Sequence, residues 1–144
     1  MHISEILRAK GTDVVVAPPG MTVRELLDLL KARNLGAVVV SAGDRTVDGI
    51  VSERDVVRHL TDGPEILDQP VHTIMTPADR MQTCTASATI DSLAELMTER
   101  RVRHIPVVDE NGLLAGIVSI GDVVKSRIGE LKFERDELEA YVSS

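Results

Sequence analysis

The sequence predicts an α/β (α+β) fold in which one strand-helix-strand-strand-helix unit is written twice and a C-terminal helix follows. Three observations predict it. A shift of 67 positions lays Thr22–Leu60 on Thr89–Arg127 without a gap, and 12 of the 39 aligned pairs are identical. Both copies pass through the same order of β-branched runs, turn residues and helix-period patterns. The composition, 43% hydrophobic with one Phe, one Tyr and no Trp, leaves Val, Ile, Leu, Met and Ala to fill a core, which suits close packing of short strands and helices.

The first copy opens with Val14-Val15-Val16, a β-branched run ended by Pro18-Pro19-Gly20, and reads as a strand and a turn. Thr22 with Glu25 three positions on is a capping box, and Val23, Leu26, Leu27, Leu29 and Leu30 give the helix its apolar face. Gly36 is expected to end it. Ala37–Val40 and Val47–Val51 read as strands around the turn Ala42-Gly43-Asp44, and Ser52 starts a second helix. The second copy reads as a strand over Met81–Thr85, a helix from Thr89, strands His104–Val108 and Leu113–Val118 around Asp109–Gly112, and a helix from Ser119.

Upstream of each copy, Ile3-Ser4-Glu5-Ile6-Leu7 is similar to Val71-His72-Thr73-Ile74-Met75 at a shift of 68. The expected organisation is therefore repeat 1 over 1–62, a linker over 63–70 with Gly63-Pro64, repeat 2 over 71–128, and a C-terminal helix or tail over 129–144. A unit of this size buries its own core poorly, so the two halves are expected to stack on each other. Val124, Ile128, Leu131, Leu138 and Val142 form a helical stripe broken by Arg135. That stripe fits docking on its own domain and contact with a second subunit equally.

Composition narrows the function. A net charge of −7 and so few aromatic residues disfavour nucleic acid and anionic membrane surfaces, which call for basic faces and, for single strands, stacking platforms. A single cysteine, Cys84, excludes an internal disulfide and fits a reducing compartment, and no run approaches the length that spans a bilayer. With no leader-like apolar stretch at the start, cytoplasmic placement is the expectation. His2, His59, His72 and His104 share no metal-ligand spacing with one another or with Cys84, so no metal site is expected. Cys84 lacks a visible base, and Met75, Met81 and Met97 read as core residues.

The residues that point to function are Gly49-Ile50-Val51-Ser52-Glu53-Arg54-Asp55 and Gly116-Ile117-Val118-Ser119-Ile120-Gly121-Asp122. Each is a strand end that runs into a helix N-terminus, where unpaired backbone N–H groups and the helix dipole favour an anion. A carboxylate one turn in can accept ribose hydroxyls. Ser at the cap with Asp three positions on is also a plain capping arrangement. Its duplication at one spacing favours ligand duty.

In these segments, in the opening Ile-Leu and Ile-Met pairs, and in Arg103-His104-Ile105-Pro106-Val107-Val108-Asp109, the chain resembles the CBS domain family, named after cystathionine β-synthase, in its paired form. The resemblance covers about residues 1–128, and Leu96–Ser126 looks like small bacterial stand-alone members. It implies β-α-β-β-α repeats about a pseudo-twofold axis, two clefts for AMP, ATP, NAD(H)-type or S-adenosyl ligands, and association of two pairs as a homodimer. By position it implies that Asp55 and Asp122 hold ribose and that Ser52 and Ser119 meet phosphate. The Asp122 cleft would set adenine against Val14, Val15, Val16, Gly36, Ala37 and Val38, with Arg103 and His104 near phosphate. The Asp55 cleft would use Met81, Gln82 and Thr83 with Arg103, His104 and Ile105.

The first repeat departs from the pattern where Val39 matches Pro106 and Arg54 matches Gly121. Equal occupancy is therefore not expected, the Asp122 cleft is the tighter candidate, and Arg54 could itself meet a phosphate. The reading is a non-catalytic regulatory module whose nucleotide occupancy a protein partner senses. An interaction scaffold of the same fold with empty clefts is its alternative. An enzyme would need a base, nucleophile and metal constellation that the sequence does not display.

Overall fold

The computed structural model describes residues 1–11 and 13–143. Helix α1 (Ile3–Lys10) has Glu5 in its first turn and Arg8 and Lys10 in its last, complementing the helix dipole. Strand β1 (Val16–Ala17) and helix α2 (Val23–Arg33) follow. Strands β2 (Ala37–Val40) and β3 (Gly49–Ser52) then lead into helix α3 (Glu53–His59). Short 3₁₀ turns occupy 60–73 and precede strand β4 (Thr76–Pro77). Helix α4 (Ile90–Arg100), strands β5 (His104–Val108) and β6 (Leu114–Ser119), and helix α5 (Ile120–Ser143) complete the chain.

The first sheet has the order β1-β2-β3-β4, with β1 parallel to β2 and the remaining neighbours antiparallel. The second is the β5-β6 pair, onto whose Val107 Cys84 adds a single parallel bridge. That bridge is the image of Ala17↔Val40 in the first sheet, because 17 and 40 become 84 and 107 under the same shift of 67.

Several expected boundaries move. Only Val16–Ala17 pairs as a strand, so Val14 and Val15 stand outside it, and Met81–Thr85 contributes a bridge at Cys84 rather than a strand. Strands β3 and β6 start at Gly49 and Leu114 instead of Val47 and Leu113. Helix α2 ends three residues before Gly36, because Asn34 takes the left-handed conformation at φ 53° and donates its N–H to the Leu30 and Lys31 carbonyls. Arg101 does the same at φ 55° in the second repeat. At Thr22 the cap is half of the expected box: Thr22 Oγ1 accepts the Glu25 N–H and donates to the Glu25 carboxylate.

Each hydrophobic core is completed by the opening segment of the other repeat. Val71 and Ile74 join Ala17, Val23, Leu26, Leu30, Val38, Val40, Val51 and Val56 in the first core. Ile3 and Ile6 join Ile90, Leu93, Met97, Ile105, Val107, Val118 and Val123 in the second. Matching hydrogen bonds fix the exchange: Val23 N donates to Gln69 O at 2.9 Å, and Ile90 N donates to Met1 O at 3.1 Å. The shared glycines follow from it. A Cβ on Gly49 would lie 2.6 Å from Met75 Sδ, and one on Gly116 would lie 2.5 Å from Leu7 Cδ2. At Gly49 the Thr76 carbonyl, also 2.6 Å away, bars a side chain, whereas at Gly116 a Cβ would meet only the tip of Leu7. Residues 64–68 do more than link, since Ile66 and Leu67 pack on the first core.

Helix α5 runs straight through the expected tail, of which only Ser144 lies outside the described residues. Its first turns pack inward at Val123, but Leu131, Leu138 and Val142 are 50%, 66% and 82% exposed. The stripe does not dock on its own domain.

Candidate functional site

Two strand-to-helix steps carry the candidate residues. At the first, Ser52 Oγ accepts the Asp55 N–H at 3.3 Å, and Asp55 Oδ2 accepts the Ser52 N–H at 2.8 Å and the Ser52 hydroxyl at 3.0 Å. At the second, Ser119 Oγ accepts the Asp122 N–H at 3.2 Å and Asp122 Oδ2 accepts the Ser119 N–H at 2.9 Å. Backbone pairing at the two steps is also equivalent: Glu53 N donates to Gly36 O, and Ile120 N donates to Arg103 O. Both serines and both aspartates are therefore reciprocal helix caps. Each carboxylate does this through Oδ2, and among the described residues Oδ1 of neither takes a protein hydrogen bond.

The second step has one feature that the first lacks. Lys10, at the end of α1, reaches across to it, with Nζ 2.8 Å from both Asp122 Oδ2 and the Ile117 carbonyl. Burial pushes the Asp122 carboxyl up, yet hydrogen bonds from Lys10 and from the Ser119 N–H outweigh burial and hold it below the usual carboxylate range. The pair is only partly shielded, with Lys10 and Asp122 side chains 38% and 21% exposed. Its direct contribution to stability is therefore on the order of 1 kcal/mol or less.

Sequence reasoning missed Lys10 because it lies 112 positions from Asp122. The available signal was an asymmetry between repeats, since the shift of 68 that matches Leu7 to Met75 matches Lys10 to Ala78.

His104 begins β5 beside this step. Its ring faces Gly36, where an added Cβ would lie 3.2 Å from His104 Cε1. Burial lowers its pKa, Lys10 and Arg103 act in the same direction, and Asp122 and Glu53 oppose them. Gly36, Arg103, His104 and Asp122 thus gather where the two repeats meet, while Arg54 and Arg103 stay exposed. Two of the proposed adenine walls need correction. Val38 and Ile105 point their side chains into the first and second cores and are 1% and 0% exposed. Their neighbours offer little more: Ala37 and Val39 are 5% and 0% exposed, and of the two residues beside Ile105 only His104 is half-buried.

Val14 and Val16 line a groove of about 310 Å³ with Ser41, Arg45, Leu114 and Ala115. Asp122 lines a separate cavity of about 490 Å³ between α1 and α5, with Ile6, Lys10, Lys125, Ser126 and Phe133. Neither space joins Asp122 to Val14 and Val16 as expected. In the other expected wall, Met81 and Gln82 are half-buried and Thr83 is exposed. Cys84 is half-buried and its thiol is pushed up to about 11 by burial, so it is protonated and unreactive at neutral pH. Among the described residues, no three His, Cys, Asp or Glu side chains gather as metal ligands. No described helix is long and apolar enough to cross a membrane.

Fold and site together define an α/β protein of two interlocked repeats, each presenting a capped serine-aspartate step. The chain belongs to the CBS domain family, whose model matches residues 3–62 and 71–129. It is similar to the crystal structure of a CBS-domain containing protein from Agrobacterium tumefaciens, with TM-score 0.82 and 44% identity over 88% of this chain and 99% of that one. A CBS domain protein from Pyrobaculum aerophilum complexed with AMP is 29% identical, with TM-score 0.74 over 85% of this chain and 89% of that one. A mitochondrial CBS domain-containing protein of Arabidopsis thaliana is 33% identical over 97% of this chain and 71% of its own length.

Proposed function

We propose that this chain is a non-catalytic regulatory module that binds an adenosine-containing nucleotide, of the AMP, ATP or NAD(H) type, and transmits its occupancy through the packing of the two repeats. One observation carries the reading: Asp55 and Asp122 are each held rigidly by their own cap through Oδ2, with Oδ1 left to accept. A carboxylate oriented in this way meets ribose hydroxyls without reorganisation. In this reading the N-terminal N–H groups of α3 and α5, with Ser52, Ser119, Arg54, Arg103 and His104, serve the phosphate side. Gly36 beside His104 in one cleft, and Met81, Gln82 and Thr83 in the other, serve the base. The AMP complex of the Pyrobaculum relative supports the ligand class. The exposed α5 stripe supports a homodimer, and a single cysteine, which can form no internal disulfide, fits a reducing, cytoplasmic setting.

Thermal unfolding with and without ligand tests it. A ligand at a hundred times its Kd adds about 2.7 kcal/mol to stability, so AMP, ATP or NADH is expected to raise Tm, and Asp122→Ala is expected to remove most of that rise. The reciprocal caps also support a scaffold whose clefts stay empty. In that case Asp122→Ala costs about 1 kcal/mol whether or not nucleotide is added, and millimolar ligand leaves the wild-type melt unchanged.

A further inference from the structure

We infer that Lys10 makes the Asp122 site selective for adenosine ligands that carry a phosphate, through a cation bonded to the ribose carboxylate that Asp55 lacks among the described residues. The inference rests on the nucleotide reading above and adds the residue that sorts ligands within it. Lys10 is not free to wander: the last turn of α1 aims it, and its Nζ is fixed by the Ile117 carbonyl and Asp122 Oδ2, each at 2.8 Å. An ammonium has three N–H donors, so one remains for a ligand.

A carboxylate that binds ribose lies a few ångströms from where a 5′-phosphate must sit, and its negative charge repels that phosphate. At Asp122 the Lys10 ammonium cancels the charge in place, while Lys125, Glu5 and Glu130 line the same cavity and add no net positive charge to it. The remaining ammonium proton can then form a charge-assisted bond to a phosphate oxygen.

At Asp55 the two cap donors are the neutral Ser52 N–H and hydroxyl, and the matching position is Ala78. In the structure the two positions part: Lys10 ends helix α1, whereas Ala78 follows strand β4 and donates its N–H to the Asp48 carbonyl, away from the Ser52–Asp55 step. The two sites of one chain are thus electrostatically unlike despite the same reciprocal backbone caps.

The test is calorimetric titration of the intact chain with AMP and with adenosine, in an Asp55→Ala background that leaves the Asp122 site alone. Lys10→Met is expected to weaken AMP about tenfold or more while adenosine changes by no more than about twofold, and Lys10→Arg is expected to recover most of the AMP affinity. Equal weakening of both ligands would make Lys10 a structural tie between α1 and β6 and would overturn the inference, as would unchanged AMP affinity. If the wild-type chain binds neither AMP nor adenosine, the nucleotide reading itself fails and takes the inference with it. If it binds both with a preference that Lys10→Met leaves intact, only the inference fails.

Discussion

Gly36 of the first repeat lies directly against the His104 imidazole of the second, so closely that a Cβ at position 36 would come within 3.2 Å of Cε1. Under the shift that relates the repeats, Gly36 corresponds to Arg103 and Ala37 to His104. The ring therefore has no counterpart approaching from the first repeat. The junction is symmetric in backbone and asymmetric in side chain, and a titratable group sits at its centre.

That group makes stability depend on pH. Burial, followed by Lys10 and Arg103, lowers the His104 pKa below the ordinary 6.5, against the pull of Asp122 and Glu53. In the window below 6.5 the unfolded chain binds the proton and the native chain does not, so stability rises with pH there and is lost on acidification. Asp122, also lowered, adds a loss of the same sign at more acidic pH. Thermal melts from pH 7 to pH 5 are expected to fall less steeply for His104→Asn than for the wild type. Parallel slopes would show that the ring is not the titrating group.

The exchanged cores predict where damage travels. Ile3 is fully buried and packs with Leu93 and Val107, so Ile3→Ala is expected to cost about 2–5 kcal/mol. Hydrogen exchange should register the loss of protection over residues 90–123 of the second repeat, with residues 14–56 less affected. Faster exchange confined to residues 1–10 would instead mean that α1 frays on its own.

Self-association is expected to depend on α5. Leu131 is 50% exposed, so Leu131→Glu should shift monomer stability by no more than about 0.5 kcal/mol. In sedimentation velocity at micromolar concentration the wild type is expected to run as a dimer and Leu131→Glu as a monomer. A monomeric wild type, or an unaltered dimer in the variant, would remove the stripe from the interface.

Local chemistry made much of this molecule legible. Ser52 with Asp55 and Ser119 with Asp122 were readable as helix starts because a cap is a contact across three residues, and the repeat was readable because both copies keep it. Glycines 49 and 116 were visible as identities. Their reason, the seating of Met75 and Leu7 above them, belongs to contacts between distant segments.

Where strands were over-read, pairing decided the outcome. Val14 and Val15 have the β-branched character of a strand, yet only Val16 and Ala17 find partners, on Val39 and Val40. Thr83 and Thr85 flank Cys84 without pairing. Gly36 was the obvious helix terminator, but the turn needed its left-handed residue two positions earlier. Asn34 and Arg101 both adopt it there, so backbone geometry overrode residue preference. The Val38 and Ile105 side chains, which the family resemblance assigned to adenine, were claimed by the cores.

The exchange of opening segments also orders events during synthesis. A nascent polypeptide cannot finish its first interior until the ribosome has released Val71 and Ile74. Ile3, made long before its partners, waits undocked until Leu93 and Val107 follow. Translation that stops in the turns between the halves would yield a product with one incomplete interior and a stranded amphipathic helix, a substrate for chaperones and proteases rather than half of a working protein.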